Sequence, residues 1–171
     1  MKRTSAGGYD MLMIQNYSSP VGKLILAQKE DALVGCWIEG QKHQWGRFQN
    51  DKKKLESTDL LEKTKQWLDL YFQGQMPKLS NLPMDPKGTD FQIRVWHALC
   101  QIPYGQTLTY GQLARQLNVN SAQAIGQAVG HNPISILIPC HRVISSKHTL
   151  CGYAGGLDVK AWLLSHEGVC L

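Results

Sequence analysis

Three apolar runs open the pattern of the chain: Met11 to Tyr17, Lys23 to Gln28 and Ala32 to Ile38. The turn-rich SSPVG and the charged Lys29-Glu30-Asp31 separate them, so the pattern predicts three short strands in an antiparallel meander. A lysine-rich stretch, Asp51 to Lys54, leads into a predicted helix from about Thr58. There Leu61, Trp67, Leu68 and Tyr71 share one face and Gly74 ends the run. Residues 11–75 thus read as a small α+β domain. Residues 76–88 hold Pro77, Pro83 and Pro86 and read as an extended linker at a domain boundary. Residues 1–10 carry no periodicity and are set aside as a flexible lead or an expression remnant, with Met11 and Met13 as alternative starts.

The second domain, residues 89–171, is mainly helical in pattern. A helix opens at Thr89 or Asp90, places Phe91, Val95 and Leu99 on one stripe, and must stop before Pro103. Thr109-Tyr110-Gly111-Gln112 fits a capping box that starts a helix to Leu117, and a second helix runs from Ser121 to about Gly130. Two short helices around so tight a turn suit a helix-turn-helix, and equally a helical hairpin in a core. Ala122, Ala124, Gly126, Ala128 and Gly130 leave the second helix slim and without Lys or Arg; only Gln123 and Gln127 could donate to bases. Such a helix suits a narrow minor groove or close helix packing. Ile134 to Ile138, between Pro133 and Pro139, reads as a buried strand.

Composition sets the class. Hydrophobic residues at 43% and charged residues at 18% suffice for a buried core and exclude a disordered chain. No apolar run approaches the ~20 residues of a membrane helix, and no signal-peptide core follows Met1, so a cytoplasmic protein without a membrane partner is expected. The net charge of +5 favours an anionic partner without deciding for nucleic acid. Five scattered cysteines with no CxxC pair speak for free thiols rather than disulfides.

One of those cysteines carries the candidate chemistry. Cys140 follows the proline that ends the apolar run and precedes a potential base, His141, and a cation, Arg142. Such neighbours can lower a thiol pKa and supply the thiolate nucleophile. The alternative is an inert buried Cys beside a hydrogen-bonded His.

The run Asn132 to Ile144, which contains Pro139-Cys140-His141-Arg142-Val143, is followed by Gly152-Tyr153-Ala154-Gly155-Gly156 and by Lys160 to Gly168. Together these resemble the O6-alkylguanine-DNA alkyltransferases, most of all their bacterial stand-alone members, strongly from about Thr89 onward and weakly before it. The resemblance implies a two-domain α+β fold: a ribonuclease-H-like N-terminal antiparallel sheet with a helix, and a mainly helical C-terminal domain with a helix-turn-helix. It implies a single-turnover enzyme in which Cys140 takes the alkyl carbon from guanine O6 in DNA and keeps it as a thioether; O4-alkylthymine stays open as a substrate. Glu167 and His141 match a relay that reaches the thiol through water, since adjacent residues of an extended segment point apart. Tyr110 matches a donor to the leaving guanine, and Asn132 a brace of the active-site turn. Val143, Tyr153, Ala154 and Gly155 match the alkyl pocket, and Arg142 a buttress of its loop.

Ala122, Gln123, Ala124, Gly126 and Gln127 match the DNA-binding helix, docked in the minor groove of DNA containing an alkylated guanine that is flipped from the stack. Gln123 stands where many members place an Arg wedge. A monomer is expected, with no cofactor and no metal, Cys36 and His43 being too few ligands for a structural zinc. A non-catalytic alkyltransferase-like lesion binder, which lacks the Cys, and a Cys-His-Glu hydrolase are the rivals; a fused regulator would carry four zinc-binding cysteines that this N-terminal half lacks.

Overall fold

Apolar side chains on both faces explain why the first strands read as near-continuous hydrophobic runs. In the computed structural model, which describes residues 11–171, β1 (Met11–Ser19), β2 (Gly22–Lys29) and β3 (Ala32–Ile38) form the expected antiparallel meander. Leu24, Leu26 and Cys36 face one layer of the core, while Ile25, Ala27 and Trp37 face a smaller one with Leu12, Val34 and Phe48. The expected lead, residues 1–10, lies outside the described residues.

The lysine-rich stretch departs from expectation. Lys52–Leu55 is a fourth strand, β4, pairing parallel to β1 at the sheet edge in the order β3-β2-β1-β4. Lysines suit such an edge because they discourage further pairing, which is also why the segment lacks a strand's sequence signature. The helix α1 (Asp59–Phe72), capped by Thr58, buries Leu61, Trp67, Leu68 and Tyr71 against the sheet side.

The linker does not run free. Leu33 N–H donates to Pro83 O and Asp85 N–H to Leu33 O, both at 2.9 Å, so it straps the edge of β3. Beyond it come α2 (Asp90–Leu99), β5 (Leu108–Thr109), α3 (Tyr110–Gln116), α4 (Ala122–Gly130), β6 (Val143–Ile144) and α5 (Leu157–His166). Complete capping boxes, Thr89 with Gln92 and Thr109 with Gln112, start α2 and α3, and the Ser121 hydroxyl caps α4. α4 packs on both α2 and α3. Val95, Leu99, Leu113 and Ile125 join Leu24, Leu33, Leu68 and Tyr71 in one core that crosses the domain boundary. Among the described residues no helix is long and apolar enough to cross a membrane.

Ile134 to Ile138 is not a strand. Ile134 makes one bridge to Cys36, with Cys36 N–H to Pro133 O and Ser135 N–H to Cys36 O at 2.9 Å, and the chain then turns sharply. Leu137 N–H closes onto Ser135 O at 2.9 Å around Ile136, whose φ is +73°. Cys140 N–H closes onto Ile138 O at 2.8 Å around Pro139. A β-branched residue in the left-handed region is strained, and such strain persists only where the surroundings enforce it. Full burial, which makes a turn and a strand look alike in sequence, hid it.

Candidate active site

Cys140 sits at the start of a 3₁₀ turn, Cys140–Arg142, so the extended geometry assumed for its separation from His141 is replaced by a tight turn. Asn132, just beyond α4, holds both ends of the Ile134–Ile138 turn that leads into Cys140. Its side-chain N–H donates to Ile138 O at 2.8 Å and its Oδ1 accepts from Ile134 N–H at 3.0 Å. The end of α4 and the turn that carries Cys140 therefore share one brace.

His141 is fully buried, and its Nε2 meets Glu167 Oε2. That carboxylate is saturated: Oε2 also accepts from Tyr71 O–H at 2.7 Å, and Oε1 accepts from Arg142 Nε at 2.8 Å and from Gly105 N–H at 3.0 Å. Burial alone would raise the Glu167 pKa, but hydrogen bonds from His141, Arg142 and Gly105 N–H hold it well below the carboxylate range. Burial lowers the His141 pKa, only partly opposed by Glu167, so the imidazole is neutral at pH 7. A carboxylate only accepts, which places the proton of the neutral ring on Nε2 and leaves Nδ1 as a lone pair. Nδ1 is buried without a hydrogen-bond partner.

The thiol itself departs from expectation. Burial pushes the Cys140 pKa up, with the Asn132 side chain and the Lys160 charge pulling back only in part. The resting group is a protonated thiol, and its neighbours in sequence do not prepay the thiolate. Arg142 is engaged elsewhere, donating to Glu167 and, through Nη1, to Ile102 O at 2.7 Å. A base is therefore needed at the moment of attack, and Nδ1 of His141 is the free acceptor nearby in the turn.

A cavity of about 190 Å³ opens over Cys140, walled by Tyr110, Gly126 and the loop residues Tyr153 and Ala154. It is smaller than the ~300–1,000 Å³ of pockets for drug-sized ligands, and suits a single base. Tyr110 O–H donates to Cys151 O at 3.0 Å from the first turn of α3. Gly155 packs behind the wall, where a Cβ would come within 2.4 Å of Ile38 Cδ1. Val143 is fully buried in β6, outside the cavity lining. On α4, Ala122, Gln123 and Gln127 are exposed and Ala124 half-buried, while Gly126 reaches the cavity.

Several participants were not singled out from sequence. Lys160, fully buried on α5, donates to Val143 O at 2.6 Å, Cys151 O at 3.0 Å and Gly152 O at 3.2 Å, and so pins the pocket loop. Tyr71 reaches Glu167 from the N-terminal domain, and Lys42 and His43 of that domain line the cavity mouth. Only Tyr71 had a signal, its place on the apolar face of α1.

A buried thiol at the floor of a base-sized pocket, a neutral His held by a saturated carboxylate, and a slim helix at the mouth define a protein built to bring one reactive carbon to one sulfur. Comparison with known proteins makes the class specific. Residues 90–169 match the 6-O-methylguanine DNA methyltransferase DNA binding domain, and residues 12–86 match the ribonuclease-like domain of the same proteins. The methylated-DNA--protein-cysteine methyltransferase of Methanosarcina acetivorans is 39% identical over 162 residues, covering 90% of this chain and 97% of that protein. That of Haemophilus influenzae is 40% identical over 155 residues, 90% and 84% of the two chains. The crystal structure of Mycobacterium tuberculosis O6-methylguanine methyltransferase superposes with a TM-score of 0.79 at 37% identity, over 92% of this chain and 93% of that one. A structure of the M. tuberculosis protein in complex with DNA gives 0.77 at 36% identity, over 92% of each chain. The chain belongs to the O6-methylguanine-DNA methyltransferase family.

Proposed function

We propose that this protein repairs DNA by direct reversal, moving the alkyl group of O6-alkylguanine to Cys140 once per molecule. The observation that carries the reading is the buried Cys140 thiol at the floor of a base-sized cavity, beside a His141 whose only free ring nitrogen is a lone pair. The Cys140 sulfur attacks the alkyl carbon, a carbon–sulfur bond forms and the carbon–oxygen bond to guanine breaks. The thiol proton passes to His141 Nδ1 through a water, and Glu167 stabilises the imidazolium that results. Guanine leaves with negative charge on its ring, which a hydrogen bond from the Tyr110 hydroxyl stabilises; guanine then takes a proton from solvent, and the imidazolium returns its own to solvent. A thioether has no good leaving group, so the alkylated protein does not return.

Guanine O6 lies in a base pair and cannot meet a sulfur at a cavity floor, so the nucleotide is flipped out to react. α4, without charge or bulk on its exposed face, enters the minor groove without selecting sequence. Gln123, exposed in its first turn, fills the vacated place in the stack more weakly than an Arg would, lacking the charge and the planar guanidinium. The protein acts as a monomer. The test is stoichiometry: with a large excess of O6-methylguanine oligonucleotide, repair stops at one equivalent per protein. Continued release of unmodified DNA would instead identify a hydrolase.

A further inference from the structure

The loop from Gly40 to Gly46 is held in an unfavourable backbone conformation for which the account above has no use. Gly40, His43, Trp45 and Gly46 all have left-handed φ, +82°, +59°, +73° and +49°, and two of these residues are not glycine. Its surroundings enforce that shape. Ile38 N–H donates to Gln41 Oε1 at 2.7 Å, and Gly40 N–H donates to Gln44 Oε1 at 2.6 Å. Trp45 packs on Trp37 with ring centroids 5.4 Å apart, and the Lys53 ammonium lies 4.6 Å over the Trp45 ring. The loop is also tied to the pocket. Lys42 N–H donates to Ala154 O at 3.2 Å, and His43 stacks on His131, the C-cap of α4, at 4.0 Å. The result is a rigid platform that puts two exposed side chains, Lys42 and His43, at the cavity mouth.

The charge of the other domain shows what such a platform supplies. From Asp90 onward the Lys and Arg residues are Arg94, Arg115, Arg142, Lys147 and Lys160. Lys160 is buried and Arg142 is spent on Glu167 and Ile102 O. Arg94 donates to Leu117 O, Arg115 and Lys147 are exposed but lie outside the cavity lining, and α4 carries no cation. Among the described residues lining the cavity, Lys42 is the one ammonium or guanidinium. A nucleotide entering the cavity brings its own phosphates to that mouth, and phosphate neutralisation dominates DNA affinity.

Resting on the reading that a nucleotide is extruded into this cavity, we propose that the Gly40–Gly46 loop makes the N-terminal domain part of the DNA interface: Lys42 takes a phosphate flanking the extruded nucleotide, and His43, stacked on His131, fixes the loop against the recognition helix. This gives the N-terminal domain a direct role in binding and supplies the cation that α4 lacks.

The first test is the salt dependence of binding to an unmodified duplex, which involves no alkyl transfer. One lost phosphate contact lowers the slope of log affinity against log salt by about 0.9. Lys42→Gln should show that drop, so that its deficit against the parent protein shrinks about threefold between 50 and 200 mM salt. Lys42→Arg should restore the slope, and Lys63→Gln, an exposed lysine on α1, should not change it. A Lys42→Gln slope matching that of Lys63→Gln overturns the proposal, as does failure of Lys42→Arg to restore it. The second test replaces the phosphates flanking an O6-methylguanine by neutral methylphosphonates. The parent protein should bind this duplex at least threefold more weakly and Lys42→Gln nearly unchanged; equal losses in both overturn the assignment. A negative slope result leaves alkyl transfer standing, and an absence of alkyl transfer leaves the slope result standing.

Discussion

Glu167 satisfies four donors from three separate parts of the chain, so one carboxylate joins pH, stability and chemistry. Its pKa is depressed in the fold, so its stabilisation is complete above the ordinary value of ~4.3 and is lost as pH falls through the depressed one. The His141 pKa is also depressed, with the consequence that below ~6.5 the unfolded chain binds a proton that the folded chain refuses. Stability measured by urea unfolding should therefore begin to fall below about pH 6.5 and fall again below about pH 4.3. Glu167→Gln should lose about 3 kcal/mol at pH 7, because Arg142 is left without its anion, and should erase the lower step only. The thiol gives a second prediction. His141→Gln keeps a donor for Glu167 but cannot accept a proton, so its transfer rate should fall by about 10²-fold or more and climb with pH into the alkaline range. The parent protein should be nearly flat from pH 7 to 8.5; a flat profile in the variant would remove His141 as the base. Cys140, His141 and Glu167, as candidate nucleophile, base and carboxylate, were legible as a resemblance carried by PCHRV and HEG. Lys160 was not, since a lysine buried under three carbonyls has the same letter as one in water.

At the scale of elements, the legible parts are those whose signals are local. The capping box at Thr109 was readable because Gln112, three residues on, completes it; Thr89 and Ser121 were legible only as helix starts, although Gln92 completes a second box at Thr89 and the Ser121 hydroxyl accepts from Ala124 N–H. β4 and the turns around Ile136 were not, since one is defined by its neighbour β1 and the other by a conformation that burial enforces on a residue disfavouring it. The pocket loop from Cys151 to Gly156 belongs to the second kind, being held by Lys160 from α5 rather than by its own hydrogen bonds alone. Lys160→Met leaves the buried Val143 carbonyl and the more exposed Gly152 carbonyl without this donor, while Cys151 O keeps the Tyr110 hydroxyl, and an unpaired buried acceptor costs about 1–3 kcal/mol. The expected outcome is a loss of about 2 kcal/mol in stability, with faster proteolysis within the loop than elsewhere. Proteolysis that starts in another segment would show that the loop does not depend on this lysine.

At the scale of the molecule, the two domains visible in the sequence share one core and one site. Backbone bonds join Cys36 to Pro133 and Ser135, Tyr71 completes the Glu167 cluster, and the linker is stitched to β3. Composition and periodicity gave each half its class but could not show this joint, because every contact in it spans many residues. Unfolding should accordingly be a single transition, with far-ultraviolet circular dichroism and tryptophan fluorescence giving coincident midpoints; separate midpoints would mean domains that melt independently. The central claim, that Cys140 is the acceptor of an alkyl group from DNA, is tested most directly by intact mass and peptide mapping after mixing the protein with an O6-methylguanine oligonucleotide. The account predicts a gain of a single methyl group, located in the peptide that holds Cys140 and absent from Cys140→Ser. A methyl group on Cys100 or Cys151 instead, or an unchanged mass in the parent protein, would contradict it.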